Sequence, residues 1–259
     1  MDVLRSIVLA FCTFSVIPMP KVNAGEKAGQ LMLAMFPLVG LVIGTVCVGW
    51  WALCDAVGFG VTLKAAGLTL LPLGIAGGIH LDGFADVVDA VSSWAGPERR
   101  REILKDPHIG AFAAIGVAGY LLCFFAFASE LVVTTSFVAA PLLAICFVLS
   151  RSLSGLTAML LPKSTKTGML ASETSTHKPT ASIAILAVFA VCCITAAFAM
   201  NVIAGVCLVV AALLAVFILY RIAMTKFGGM SGDLSGFFTQ LAELLMLIAL
   251  VIAAKVVGL

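Results

Sequence analysis

Seven stretches of roughly twenty mostly apolar residues dominate this sequence, and about twenty such residues are what a helix needs to cross a bilayer. They are Gln30–Cys54, Val61–Ile79, Gly110–Ala128, Phe137–Leu161, Ala181–Met200, Val202–Met224 and Phe237–Val257. Of the 259 residues, 62% are hydrophobic and 11% are charged, whereas soluble domains average about half and about a quarter. The sequence therefore predicts an all-α fold: a polytopic membrane helix bundle of about seven transmembrane helices, forming a single domain over residues 1–259.

The first apolar stretch, Val3–Ile17, is too short to cross a bilayer comfortably. It predicts a short N-terminal helix that is interfacial or re-entrant. Pro18 and Pro20 follow where a signal peptidase would need small residues, so we expect no cleaved signal peptide. The eight cysteines lie almost entirely in apolar runs without metal-binding spacing, which predicts neither disulfides nor a cysteine metal site.

Lysine and arginine collect in alternate loops, which predicts how the spans are oriented. The loops after the second, fourth and sixth spans carry Arg99, Arg100, Arg101, Lys105, Lys163, Lys166, Lys178 and Lys226. The intervening loops, near residues 55–60, 130–136 and 201, contain neither residue type. Because positive loops stay in the cytoplasm, we expect the N-terminus inside and the C-terminus outside. The formal net charge is only +2, which does not indicate a nucleic-acid partner.

Three aspartates, Asp82, Asp86 and Asp89, lie in the first large cytoplasmic loop with spacing i, i+4, i+7. At about 100° per residue this spacing puts them on one helical stripe. Neighbouring carboxylates repel one another, and a bound cation removes that repulsion. Oxygen ligands without histidine or cysteine partners favour Mg²⁺, or Mn²⁺, over zinc. Gly78 and Gly83 beside the stripe permit close approach of the backbone to a ligand.

Further polar residues flank this stripe on the same predicted face. His80 fits three roles: a ligand, a base or a packed interfacial histidine. The segment that contains Lys105, Asp106 and His108 places a cation and a carboxylate together, just before the chain re-enters the membrane. Asp106 also suits the N-cap position of a helix beginning at Pro107, and the two roles are compatible.

A second polar cluster precedes the last span and faces the same side. Gly228, Gly229, Ser231 and Asp233 predict a helix N-terminus whose amides suit a phosphate and whose carboxylate suits a metal. Glu243 lies further into that span, where a carboxylate is costly unless it points at a polar site.

Arg151 lies too deep in the fourth span to be an ordinary loop cation. We expect it to point inward and to pair with an acidic residue or a substrate phosphate. Carboxylates, glycines and cations on one cytoplasmic face are typical of metal-assisted phosphoryl transfer. The membrane setting indicates an amphipathic or bulky substrate.

The sequence resembles the cobalamin synthase family, the adenosylcobinamide-GDP ribazoletransferases. The resemblance is carried by GGIHLDGFADVVDA, REILKDPHIGAFA and KFGGMSGDLSG, together with Glu243. The early FPLVGLVIG, the Ser150-Arg151 pair and a middle loop that contains Gly168 are also similar. These segments extend along essentially the whole chain.

This resemblance implies the last assembly step of the cobalamin nucleotide loop. In that reaction α-ribazole, or its 5′-phosphate, attacks the cobinamide-linked phosphorus of adenosylcobinamide-GDP, and GMP leaves. Adenosylcobalamin, or its 5′-phosphate, forms with a requirement for Mg²⁺. The resemblance also implies a bacterial cytoplasmic (inner) membrane protein whose active site faces the cytoplasm. Contacts with other cobalamin-assembly enzymes are a natural expectation for such a step.

Carried onto this chain, the resemblance implies catalytic and metal-binding roles for Asp82, Asp86, Asp89 and Asp233, with Asp233 as a further ligand or the base. The residues predicted to bind substrate are His80, Lys105, Asp106, His108, Arg151, Gly228, Gly229, Ser231 and Glu243. Two positions depart from the family pattern. Pro107-His108 stands where Ser-Arg is usual, and Ser231 stands where threonine is usual.

Two other classes of protein share parts of this pattern. Membrane CDP-alcohol phosphotransferases place Ala-Arg after the first Asp-Gly pair, but here Ala85 is followed by Asp86 and the third aspartate comes too soon. A cation or metabolite transporter would carry its acids near the midplane of the bilayer, often in inverted repeats. The acids of this chain lie mainly at one predicted face, so both alternatives are less favoured.

Overall fold

The computed structural model describes residues 2–22, 25–104, 106, 108–164 and 180–257, and eleven α-helices account for most of them. The helices are α1 (Asp2–Phe14), α2 (Glu26–Met32), α3 (Phe36–Val57), α4 (Val61–Ala76), α5 (Ile79–Ser92), α6 (Pro97–Ile103), α7 (Ala111–Thr134), α8 (Ala139–Leu160), α9 (Thr180–Met200), α10 (Val202–Ile222) and α11 (Gly232–Val257). Strands are absent from the described residues, apart from one isolated bridge between Lys163 and Met230. The all-α prediction is confirmed.

Membrane-spanning length is reached by six segments of the described residues. They run over Ala28–Val57, Ala111–Thr134, Ala139–Leu160, Thr180–Met200, Val202–Phe227 and Gly232–Val256. A seventh passes the same criteria only if α4 and α5 are taken together, and these two helices are bent by 95°. The predicted span Val61–Ile79 therefore ends early: α4 stops at Ala76, and α5 continues in a new direction.

The N-terminal helix α1 has 13 residues, which at 1.5 Å per residue is well short of the roughly 30 Å of a bilayer core. It packs against the start of α3, where the rings of Phe14 and Phe36 have centroids 4.4 Å apart. Its length agrees with the predicted short helix that does not span.

Helices α8 and α11 form the centre of the bundle, whereas α7 and α9 lie at its outside. The outer helices expose large apolar side chains such as Ile115, Leu122 and Val188. Such a surface is stable in contact with lipid rather than water. The central helices instead bury polar side chains: Ser150, Arg151, Ser152, Ser154, Thr239, Gln240 and Glu243. Polar groups inside a membrane bundle are costly, so their concentration on two facing helices marks the region where function is expected.

The two ends of the bundle carry different contacts. At one end Lys64 pairs with Asp55, and Lys255 pairs with Glu130 at 2.8 Å. At the opposite end the ring of His80 meets that of Phe36, with centroids 5.2 Å apart. Because α4 begins beside Lys64 and ends just before His80, the chain crosses the bundle along α4 as well. The loops that the sequence assigns to opposite sides therefore lie at opposite ends.

Candidate active site

The aspartate stripe owes its position to a sharp turn between α4 and α5. Gly77 and Gly78 have φ angles of 67° and 74°, in the left-handed region that glycine adopts without strain. The amide of Gly78 donates to the carbonyl of Leu73 at 3.1 Å and closes the end of α4. The chain then starts α5, which carries all three aspartates, as the i, i+4, i+7 spacing predicts.

Close packing of α5 on α11 brings the fourth aspartate to this stripe. A Cβ atom on Gly83 would lie 2.8 Å from the carbonyl oxygen of Asp233, and one on Gly236 would lie 3.0 Å from that of His80. The rings of Phe84 and Phe237 stack beside this contact, with centroids 5.5 Å apart. Gly83 was expected to admit a ligand, but the neighbour that approaches it is the backbone of α11. The prediction that both polar clusters share one face is thus supported by direct contact.

The four aspartates repel one another in this arrangement. Burial, together with the charges of Asp82, Asp233 and Asp89, raises the pKa of Asp86 to about 6. In the part of the chain that the structure describes, none of the four forms an ion pair with lysine, arginine or histidine. A site with this excess of negative charge favours a cation.

A closed metal-binding cage is not part of this arrangement. Among the described residues, no three histidine, cysteine or acidic side chains converge tightly enough to hold one ion by themselves. The donor set still suits Mg²⁺, because that ion keeps several waters and is bound by one or two carboxylates together with substrate phosphates. The aspartates therefore fit a magnesium ion that is shared with a substrate.

Asp89 differs from the other aspartates because it contacts the N-terminus of α7. Its carboxylate accepts a hydrogen bond from the amide of Ala113 at 3.3 Å and packs directly against Gly110. The exposed amides and the dipole at a helix start favour a carboxylate there. The expectation that Asp106 caps a helix beginning at Pro107 is wrong, since α7 begins at Ala111 and receives its carboxylate from α5.

A cavity of about 240 Å³ opens beside Asp82 and Asp233. Its walls are formed by Phe14, Leu33, Phe36, Ile79, His80, Asp82, Gly83, Ser154, Gly232, Asp233, Ser235 and Gly236. One part of the wall is aromatic and aliphatic, and the other presents two carboxylates and two hydroxyls. The sequence indicated no site role for Phe14, Phe36, Ser154 or Ser235, because residues of these types in apolar helices carry no distinguishing signal. Phe36 and Ser235 do lie in segments that resemble the family.

His80 is buried in the aromatic part of this wall, at 5% exposure. Its ring lies 6.2 Å from that of Phe14 and 5.2 Å from that of Phe36. Within the described residues its Nε2 atom has no hydrogen-bond partner. Of the three roles that the sequence left open, the packed histidine describes its surroundings best, although one polar atom remains unsatisfied.

Arg151 and Glu243 pair with each other inside the bundle, with side chains only 1% and 2% exposed. Ser150 donates to the same carboxylate at 3.2 Å, and the Arg151 guanidinium also donates to the carbonyl of Phe147 at 2.9 Å. The guanidinium lies 5.7 Å from the ring of Phe36, which lines the cavity. The structure thus provides the acidic partner that Arg151 was expected to have.

The second polar cluster forms the turn that leads into α11. Gly228 and Gly229 adopt φ angles of 73° and 152°, and the following Met230 pairs with residues 162–164 across the bundle end. The hydroxyl of Ser231 accepts a hydrogen bond from the amide of Leu234 at 3.3 Å. The predicted helix N-terminus is confirmed. Gly228, Gly229 and Ser231 do not line the cavity, whereas Asp233 does.

Asp106 and His108 lie apart from the cavity, on the exposed surface. The carboxylate of Asp106 accepts from the amide of His108 at 3.0 Å, and its oxygen lies 2.7 Å from the Nδ1 atom of the same residue. These hydrogen bonds hold the pKa of Asp106 below its usual value. Lys105 lies outside the described residues, as does the middle loop that contains Gly168.

The cobalamin-5-phosphate synthase model matches residues 6–251, from the first helix into the last. The chain belongs to the cobalamin-5-phosphate synthase family. The family resemblance inferred from the sequence is confirmed, and the CDP-alcohol phosphotransferase and transporter interpretations are not favoured.

Two relatives each cover nearly the whole chain. A Lachnoclostridium phytofermentans protein named adenosylcobinamide-GDP ribazoletransferase is 36% identical over 255 residues, which are 98% of this chain and 96% of the relative. A Clostridium botulinum protein of the same name is 26% identical over 247 residues, 94% of this chain and 95% of the relative. No solved structure matches the chain.

Proposed function

We propose that this protein is an adenosylcobinamide-GDP ribazoletransferase that works at the cytoplasmic face of a bacterial inner membrane. It joins adenosylcobinamide-GDP to α-ribazole, or to its 5′-phosphate, and releases GMP. The observation that carries the proposal is the meeting of Asp82 and Asp233 at one cavity, in a chain related along its length to proteins of that name.

The reaction needs an oxygen nucleophile, a base and neutralisation of a diphosphate. A hydroxyl oxygen of ribazole forms a bond to the cobinamide-linked phosphorus, and the bond from that phosphorus to the GMP oxygen breaks. A carboxylate among Asp82, Asp86 and Asp233 accepts the proton of the hydroxyl. These aspartates would hold Mg²⁺, or Mn²⁺, which would supply positive charge for the diphosphate. Asp89 anchors α5 to α7 and so keeps the stripe in place.

The decisive experiment measures GMP release by protein purified into lipid nanodiscs. With adenosylcobinamide-GDP, α-ribazole 5′-phosphate and Mg²⁺, we expect GMP and adenosylcobalamin 5′-phosphate in equal amounts, and no product with EDTA. Asp82→Asn removes a ligand charge without changing side-chain size, and we expect it to lower turnover by about 10³-fold.

The matched control is Glu130→Gln, which neutralises a carboxylate at the opposite end of the bundle. Glu130 and its partner Lys255 are about half exposed, so this change is expected to leave turnover and folding unaltered. Metal-independent turnover, or equal activity of wild type and Asp82→Asn, would contradict the assigned role of the stripe.

A further inference from the structure

The cavity beside Asp82 and Asp233 has two chemically different parts. Phe14, Phe36 and the ring of His80 form a cluster of three rings, to which Leu33 and Ile79 add aliphatic surface. The carboxylates and the hydroxyls of Ser154 and Ser235 lie on the other part of the wall. Such a wall suits a ligand that has a flat apolar part joined to a hydroxylated part.

One polar atom interrupts the aromatic part. The side chain of His80 is more than nine-tenths buried, and its Nε2 atom has no partner in the described portion of the chain. The Nε2 atom itself is enclosed by protein, although His80 lines the cavity. An unsatisfied buried polar atom costs free energy until a ligand or a rearrangement gives it a partner. In the tautomer that carries a proton at Nε2, His80 is a single hydrogen-bond donor beside two aromatic rings.

The size of the cavity indicates which of the two proposed substrates can enter it. At about 240 Å³ it is smaller than the roughly 300–1,000 Å³ of pockets that enclose drug-sized ligands. A corrin macrocycle is far larger than such ligands and cannot enter. A bicyclic aromatic base is flat and small enough to enter the cavity and lie against the cluster of Phe14, Phe36 and His80, whose rings contact one another.

Resting on the proposed function, we propose that this aromatic part binds the base of the ribazole acceptor. On binding, the imidazole of His80 turns so that its Nε2 atom donates to the free ring nitrogen of that base, and the edges of Phe14 and Phe36 contact the base from the cavity wall. The ribose then extends toward Asp82 and Asp233, where its hydroxyl meets the carboxylate that takes the proton. The corrinoid donor stays outside the cavity and presents only its diphosphate.

The test separates acceptor binding from donor binding in steady-state kinetics on nanodisc-reconstituted protein. Phe14→Leu keeps apolar volume but removes a ring, and we expect it to raise KM for α-ribazole 5′-phosphate about 10-fold. KM for adenosylcobinamide-GDP and kcat should stay unchanged. Phe217→Leu is the matched control, because Phe217 is a lipid-facing ring on α10 away from the cavity.

A second arm addresses His80 with an acceptor analogue in which carbon replaces the free ring nitrogen. Wild type should show a KM for this analogue about 10-fold higher than for the natural acceptor. His80→Phe keeps the packing of the ring but removes Nε2, so the variant should bind both acceptors equally. Because this comparison uses two ligands on the same protein, it still tests the inference when Phe14→Leu does not fold.

Some outcomes would overturn the inference while leaving the proposed function intact. They are a selective rise in the donor KM of Phe14→Leu, no change in either KM, or wild type that does not distinguish the two acceptors. Equilibrium binding of α-ribazole 5′-phosphate without donor gives an independent readout, and an affinity equal in wild type and both variants contradicts the site. Absence of GMP release from wild type would instead overturn the proposed function itself.

Discussion

Arg151 and Glu243 form a buried ion pair whose role is structural. Their ion pair is enclosed by the bundle, and Ser150 and the carbonyl of Phe147 form further hydrogen bonds to the same two atoms of the pair. The Nε atom of Arg151 has no hydrogen-bond partner among the described residues. Removing two charges from solvent is costly, and their attraction offsets that cost only when the geometry is good. Because both side chains are buried and neither lines the cavity, the pair holds α8 and α11 together behind the site.

Arg151→Ala should therefore act mainly on stability. It leaves Glu243 buried without its partner, which costs about 3–5 kcal/mol. The double variant Arg151→Met with Glu243→Leu should recover most of that loss, because it leaves no unpaired charge. Thermal unfolding in detergent measures both effects. Arg99→Ala, which removes a guanidinium from an exposed pair with Glu102, is expected to change stability by less than about 1 kcal/mol. Equal stability of Arg151→Ala and Arg99→Ala would contradict the structural role.

Sequence spacing predicted some of these residues and not others. The stripe of Asp82, Asp86 and Asp89 follows from helical periodicity, because its members are seven or fewer residues apart. The partner of Arg151 lies 92 residues away along the chain, and no local pattern encodes such a pairing. The same is true of the contact between Asp89 and α7, which depends on how two helices pack.

Two pairs of neighbouring elements position the site. The first is the break between α4 and α5, where hydropathy predicted one continuous span to Ile79. Hydropathy reflects composition alone, and consecutive glycines at positions 77 and 78 let the chain turn while staying apolar. The second is the contact of α5 with α11, where Gly83 and Gly236 allow backbone to meet backbone. Neither helix carries the complete set of carboxylates.

A methyl group at Gly83 should separate α5 from α11. Its Cβ would lie 2.8 Å from the carbonyl oxygen of Asp233, so the two helices must move apart and carry Asp82 away from Asp233. Displacements of about 1 Å at a reacting centre can lower turnover by about 10²-fold, and we expect a loss of that order in the GMP-release assay.

The control for this variant is Gly119→Ala, on α7, where an added methyl group meets open space. It should keep wild-type turnover and add slightly to helix stability, since alanine is favoured over glycine in helices by about 1 kcal/mol. Wild-type turnover in Gly83→Ala would show that the contact between α5 and α11 does not position the carboxylates.

The whole molecule has an apolar circumference and two ends that carry different polar groups. The helix ends that carry the cavity meet where the sequence places the cationic loops, and the Lys64–Asp55 and Lys255–Glu130 pairs lie at the opposite end. The orientation was predicted from loop charge alone, through the tendency of positively charged loops to stay in the cytoplasm. The separation of the two sets of loops follows from packing and agrees with the predicted alternation of the loops.

This orientation predicts which loops are accessible from each side of the membrane. Trp94 is 93% exposed, beside α5, and Ser136 is exposed in the short loop between α7 and α8. Trp94→Cys should react with a membrane-impermeant maleimide only after the cytoplasmic side is opened, whereas Ser136→Cys should react from outside intact cells. Wild type, with its eight native cysteines, provides the background. The reverse pattern of labelling would contradict the orientation.

Asp233 belongs to the last helix, whereas Asp82 lies near the end of the first third of the chain. During synthesis, about 150 further residues must therefore be made after Asp82 before the two carboxylates can meet. A partly inserted chain holds the aspartate stripe but lacks the wall that α11 provides, so it cannot complete the cavity. Docking of α11 thus completes the active site late in biogenesis. A protein truncated before α11 should insert into the membrane but show no GMP release.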